Sequence, residues 1–543
     1  AASNCRNWQQ RPFSPLTPAL SPLRGEGVTR SGTSCHARNF LGNCGHVTTA
    51  STKSAFPAGL NNAYSFALFN ALSFQVVLSS PMVLYAKTLH ANATVLGLLT
   101  GMMPLLVIFQ IPAAAYIEAV GYKRFVFAGW GTRVSLIFVM ALVPLTGNFL
   151  NVGSQLALIL ALLFGFDLSR GISSCAWLPW ISSLVPAEVR GRYLAREAAC
   201  VSLGSSLSFW LAALCLGARP APWQFALLFA FSAAMGAVSL VFLKRIPDRP
   251  PDPDPADPTK AGALTDSVGS RRDEPTTADP SGRTVATLHP ETLTAATARA
   301  PVSRSKEPVP WGAMLRYAPF QKLLCMIVAW SVAYGGITAF TVVYLKSAAG
   351  MAENQILCAT AISYLGGLAS LWFLGTRLDG LGSKPVLTFS FAVWIVILIG
   401  WAGLAGGSFS PRFALVTGLQ LLMGLFGAMV TTSNTRLAMV LIPVMGRTHF
   451  FALYSVIGSV TLGISPIGWG LLLDALGDFH VAAFGLEWNR FTIFFTAVAL
   501  AMAVATILAR RLEEPQAAGL DHLLREILIQ SPQRVLVRLW PRG

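Results

Sequence analysis

Charge is what this sequence has least of. Only 12% of its 543 residues are Asp, Glu, Lys or Arg, while 54% are hydrophobic and the mean hydropathy is +0.57. A typical soluble protein is about 25% charged. Too little polar surface remains for a soluble enzyme, so the chain belongs in a membrane. Acid is scarcer than base: 24 Asp and Glu against 40 Lys and Arg leave a net charge of +16. That excess does not signal nucleic acid, because no basic cluster alternates with aromatics as a single-strand groove requires. Histidine is also sparse. His90, His449 and His480 stand alone and His289 lies in a polar stretch, so no catalytic pair or metal set forms. Cys35, His36, Cys44 and His46 crowd together near the start but fit no common zinc spacing. No cofactor and no metal are expected.

Long apolar runs are what the chain has in abundance. A helix needs about twenty apolar residues to cross the hydrocarbon core. Runs of that length fall near 63–85, 93–117, 125–145, 156–176, 198–216 and 223–243, then near 323–344, 356–374, 386–404, 413–437, 450–473 and 491–508. The fold class is therefore an all-α membrane protein of twelve transmembrane helices in two six-helix bundles, residues 61–243 and 319–511.

Between the bundles, 244–318 reads as a disordered linker. Its stretch Lys244–Pro310 holds twelve of the 33 prolines and no Phe, Tyr or Trp, so it cannot bury enough apolar surface to offset the entropy of ordering. Residues 1–60, rich in Pro, Ser, Gly and Arg, read as a disordered N-terminal segment. Its run Ser14–Gly27 looks like a translated intergenic repeat, which would make it an over-extended start. Residues 512–543 read as a tail. Loops on the linker side carry Lys123, Arg124, Arg190, Arg192, Arg196, Arg377, Lys384 and Arg447; opposite loops carry Lys87, Arg219, Lys346, Arg412 and Arg490. The positive-inside rule then puts both termini and the linker in the cytoplasm, here of a bacterial inner membrane.

The halves echo one another. Ala114-x3-Glu118-x2-Gly121-x-Lys123-Arg124 follows the second span, and Gly375-x3-Asp379-x2-Gly382-x-Lys384 follows the eighth; Gly121 and Gly382 stand 261 residues apart. Val185-Pro186-x3-Arg190 and Ile442-Pro443-x3-Arg447 repeat at an offset of 257. Such a loop makes a tight reversal, with glycine freeing the backbone and cations facing an anionic leaflet. In span count, long middle linker and paired loop motif, the chain from Ala63 to Arg511 resembles the major facilitator superfamily. The second motif copy matches better, with Ser383 where a cation is usual. In the first, Ala114 replaces the opening Gly and Glu118 replaces Asp. The resemblance implies a secondary transporter working by alternating access, with the motif residues acting as a gate latch. The Gly-Pro hinge of drug–proton antiporters is absent from the fifth span. A Walker motif is absent too, which disfavours ATP drive.

Charges inside a membrane are costly and each is a functional candidate. Arg133 lies within the third span, Asp167 and Arg170 within the fourth, and Arg436 late in the tenth. Asp167 and Arg170, three apart, share a helix face. They are either a self-neutralising pair or a titrating carboxylate held by a cation. Arg436, near Asn434, either binds an anionic group or snorkels. In the resembled fold, helices one, four, seven and ten line the cavity. Asn70, Gln75, Tyr334, Thr338 and Asn434 join Asp167, Arg170 and Arg436 there as candidates, and would suit a sugar-like or other polyhydroxyl solute. Helix–helix hydrogen bonding explains the same residues without a ligand. Expected partners are a small-molecule solute, a proton or sodium ion, and membrane lipid, with the chain a monomer. The alternatives are a facilitative uniporter, or a polytopic enzyme acting on a lipid-linked substrate.

Overall fold

The computed structural model describes residues 59–185, 187–248, 311–374, 382–442, 447–483 and 485–514, all within one compact unit. Eleven helices among them are long and apolar enough to cross a membrane. The run read near 356–374 is the helix Glu353–Leu374, 22 residues long, which completes the twelve. In order, the spans of the first half are Asn61–Thr88, Ala93–Ala114, Tyr122–Asn148, Val152–Ile181, Ala187–Leu216 and Pro222–Arg245. Those of the second are Ala318–Ser347, Glu353–Leu374, Ser383–Ala405, Phe413–Leu441, Arg447–Leu476 and Arg490–Arg510.

Local chemistry sets the ends. Asn92, Asn151 and Asn489 each accept a backbone N–H at the start of the second, fourth and twelfth spans. That satisfies donors a helix start leaves open. The first and seventh spans are both broken within their length. In the first, Ser79 is extended and Pro81 opens the next helix. In the seventh, Gly336 sits at φ 81°, a left-handed conformation that glycine adopts freely. A broken helix frees backbone carbonyls, which hydrocarbon cannot satisfy. Ser465 and Trp469 of the eleventh span both donate to Val332 O there, at 2.7 and 2.8 Å.

The packing pattern repeats between halves. The first span lies against the fifth and sixth, the third against the fourth and sixth; likewise the seventh against the eleventh and twelfth, and the ninth against the tenth and twelfth. The halves meet along two seams, second span on eleventh and fifth on eighth. Lipid supplies no hydrophobic drive between helices, so close packing must hold them. At the first seam, a Cβ on Gly97 would run into Pro466 O, and one on Gly101 into Gly463 O. Larger residues there would force the halves apart.

Several boundaries differ from the sequence reading. The segment 244–318 is not all linker: the sixth span runs to Arg245, and a short helix, Trp311–Arg316, precedes the seventh. Trp311 and Met314 give that end an apolar content which the proline-rich stretch lacks. The tail does not leave the bundle at 512, because Leu512 is buried and the two acids after it are bonded to the helices. Between the last two spans a hairpin forms, β1 (His480–Ala483) pairing antiparallel with β2 (Leu486–Asn489). The expectations for 1–58, 249–310 and 515–543 concern residues outside the described ones.

Candidate functional site

The fourth span carries Asp167 into the first half's interior, where it is 1% exposed. Arg170 follows one turn later, as the spacing requires, and the third span brings Arg133 to the same place. Asp167 feels Arg170 most strongly and Arg133 next. Arg133 is 4% exposed, with its guanidinium 4.6 Å from the Trp130 ring and 5.0 Å from the Phe166 ring. Arg170 reaches instead toward the first span, 5.8 Å from the Phe74 ring. Arg133 Nε, Asp167 Oδ1 and Arg170 Nη1 are buried with no hydrogen-bond partner among the described residues. Asn70 backs this group through the same tryptophan, accepting from Trp130 Nε1 at 3.2 Å.

Next to Phe74, Gln75 begins a polar thread between the halves. Its amide donates to Ser205 Oγ at 2.9 Å, and its carbonyl accepts from the Tyr364 hydroxyl at 3.2 Å. The Tyr364 ring stacks on Phe209, 5.3 Å between centroids. Ser206 Oγ donates to Ala361 O nearby. Tyr334 stacks on Trp330 at 4.9 Å and meets Trp394 edge-on. Thr338 is exposed. Asn434 and Tyr454 are neighbours but are not in hydrogen-bonding geometry. Arg436 is half-buried. The candidates thus divide: Gln75 joins the halves, Asp167 and Arg170 form a charged group with Arg133, and Asn434 and Arg436 sit apart in the second half.

The end of the molecule away from the linker is clasped shut. Asp474, on the eleventh span, accepts from Ala93 N at 2.9 Å, Thr94 N at 2.8 Å and Thr94 Oγ1 at 2.6 Å. It caps a helix of the other half, where a carboxylate also meets the positive end of the helix dipole. Asn354 N donates to Gly217 O across the second seam at 3.0 Å. Lys346 and Glu353 form an ion pair inside the second half at this end.

On the linker side, the two loop-motif glycines share one geometry, Gly121 at φ 87° and Gly382 at φ 83°, each just before a span. Lys123 and Lys384 lie in the first turns that follow. Arg124 is exposed, while Gly375, Asp379 and the Glu118 side chain lie outside the described residues. Glu514 accepts from Ser383 N and Lys384 N, at 3.0 and 2.7 Å, and so caps the ninth span. Glu513 pairs with Lys322 at 2.7 Å, and that hydrogen bond holds its carboxyl below the usual range. A recess of about 580 Å³ opens here, lined by Tyr317, Lys322, Leu441, Leu512, Glu513 and Glu514. All of these residues belong to the second half, away from the charged group.

Sequence reasoning missed Tyr364, Ser205 and Glu197. Tyr364 and Ser205 are single polar residues in long apolar runs, with nothing to signal that they would meet. Glu197 follows Arg196 at the fifth span's linker end and bonds the Trp177 indole. A carboxylate at the edge of an apolar run was the available signal.

A family model described as Major Facilitator Superfamily matches residues 63–407. No curated protein matches the chain. Among solved structures, a D-xylose–proton symporter superposes with a TM-score of 0.59 at 12% identity, covering 85% of this chain and 99% of its own. A nucleoside transporter gives 0.56 at 12% identity, covering 84% and 100%. A POT family transporter in complex with 5-aminolevulinic acid gives 0.54 at 14% identity, covering 83% and 95%.

Proposed function

The chain belongs to the Major Facilitator Superfamily, and on that premise we propose that it carries a small polar solute by rocking its two halves about a site at mid-membrane. As a family of secondary transporters, the superfamily favours transport over the enzymatic alternative. The observation that carries the reading is the pair of seams between the halves. The first is built from small residues and backbone contacts, with Asp474 clasping it at the far end, and the second from Ser206 on Ala361 and the Tyr364–Phe209 stack. Contacts of this kind separate and re-form without unfolding either bundle. The described state is then the one closed at the far end, with the linker side as the cytoplasmic side.

In this reading Asp167 is the coupling carboxylate. Arg170 and Arg133 are the charges that act on it, and any movement of Arg170 away from it changes its hold on a proton. Gln75, Ser205 and Tyr364 form the hinge of polar contacts that the solute approaches. The motif loops at Gly121 and Gly382 work the linker-side gate. The D-xylose–proton symporter and the nucleoside transporter agree with the small-polar-solute class.

The test is crosslinking in proteoliposomes. Cysteines at Thr94 and Asp474, whose side chains meet, are introduced into a cysteine-free chain and joined by a short reducible thiol-to-thiol reagent; the unlinked variant should still exchange solute. The link between them should arrest exchange of labelled solute, and reduction should restore it. Exchange at full rate with the far end locked would end the alternating-access reading.

A further inference from the structure

We propose that the transported solute is an organic anion, its carboxylate or phosphate met by the excess guanidinium charge beside Asp167. The inference rests on the transport reading and adds the substrate class to it.

The group Arg133, Asp167 and Arg170 carries two positive charges and one negative. Arg133 and Asp167 each feel the other two members of the group, and Arg170 feels Asp167. The group itself therefore carries a net charge of +1. Glu197, a further half-buried carboxylate of the first half, is held by the Trp177 indole and is not among the charges that act on the group. Arginine cannot shed that charge as a buried lysine can. Leaving it unbalanced inside a membrane is costly, and an uncompensated buried charge is strongly destabilising.

The two guanidiniums are not equivalent. Arg133 is faced by Trp130 and Phe166, two rings whose electrons favour a cation. Arg170 has, among the described residues, only the more distant Phe74 ring and stays partly exposed, though each guanidinium keeps one nitrogen unbonded. It is also the one directed at the first span, where Gln75 begins the thread to Ser205 and Tyr364. A guanidinium presents paired N–H groups that match a carboxylate or phosphate bidentately. A neutral sugar would leave the excess charge where it is.

The experiment uses the full chain in neutral detergent at constant ionic strength, with thermal unfolding followed by tryptophan fluorescence. Each anion is paired with a neutral mate: glucuronate with glucose, lactate with propane-1,2-diol, glycerol 3-phosphate with glycerol. The phosphate pair separates that source of charge from the carboxylates. At least one anion should raise the midpoint while its mate does not. Arg170→Gln should weaken that anion's affinity about tenfold or more, the size of a charge-assisted contact, and Arg170→Lys should weaken it less. Asp167→Asn should tighten it, because it raises the net charge. The inference falls if a neutral mate stabilises as well as its anion, if chloride alone reproduces the effect, or if no pair separates. It falls too if Asp167→Asn binds the anion no tighter, a result that stands even where Arg170→Gln does not fold. Exchange of glucose or glycerol by proteoliposomes would remove the anion while leaving the transport reading intact.

Discussion

Arg133 and Trp394 stand 261 residues apart, the offset that also separates Gly121 from Gly382. Each is buried in the third span of its own half. Where the first half places a guanidinium, the second places an indole, and Trp394 meets Tyr334 rather than a charge. The same offsets set Asp167 and Arg170 against Gly424–Thr431, a stretch with no charge at all. One helical plan therefore supports two interiors. The first half carries the charged group Arg133, Asp167 and Arg170. The second places rings at the matching depth, with Tyr334 against Trp330 and Trp394.

That asymmetry can be broken from the charged side. Asp167→Ala leaves two guanidiniums facing one another, and removing one partner of a buried ion pair costs about 3–5 kcal/mol. Thr431→Ala, at the matching place in the second half, is exposed and should stay within about 0.5 kcal/mol. Unfolding of the two variants in detergent checks the difference; equal losses would erase the distinction between the halves.

The seam comes next. Gly101→Leu collides with the eleventh-span backbone, so the far end cannot close, and exchange should fall more than about tenfold, a barrier of 1.4 kcal/mol or more. Gly468→Leu, on the eleventh span but meeting open space, should transport normally.

Much of this plan was legible in the sequence, and the gaps have physical causes. The spans emerge because twenty apolar residues in a row have one destination. The repeat emerges because a tight reversal needs glycine at one place in each half, and Gly121 and Gly382 adopt nearly the same backbone angles. The Asp167–Arg170 pair follows from helical spacing alone. Arg133 joins them through packing of the third span on the fourth, which no local pattern encodes. The Gln75–Tyr364 contact links residues 289 apart, and the capping of the second span by Asp474 links residues 380 apart. Tertiary contacts at such distance leave no spacing to read. The same holds for Glu514, whose place beside Ser383 turns an apparent tail into part of the second half.

The clasp predicts a smaller effect. Asp474→Asn keeps one acceptor and loses the charge, which should cost the closed far end about 1–2 kcal/mol. Maleimide labelling of a cysteine placed near His90 should then speed up roughly tenfold. Unchanged labelling would mean that the seam alone holds that end.

Smallest of all is the pH effect at the linker side. Lys322 depresses the Glu513 carboxyl, so its stabilisation is present above the ordinary glutamate value of about 4.3. It is lost as pH falls through the depressed value. The pair is exposed, so the midpoint should move only slightly on acidification, and Lys322→Gln should abolish that movement.

The charged group bears the account's central claim, and Asp167→Asn tests it most directly. Wild type and variant are reconstituted side by side and given the labelled solute under an imposed proton gradient, then under simple exchange. The account predicts that the variant exchanges solute but no longer accumulates it. Normal accumulation against a gradient by Asp167→Asn would contradict it, and would make the group in the first half structural.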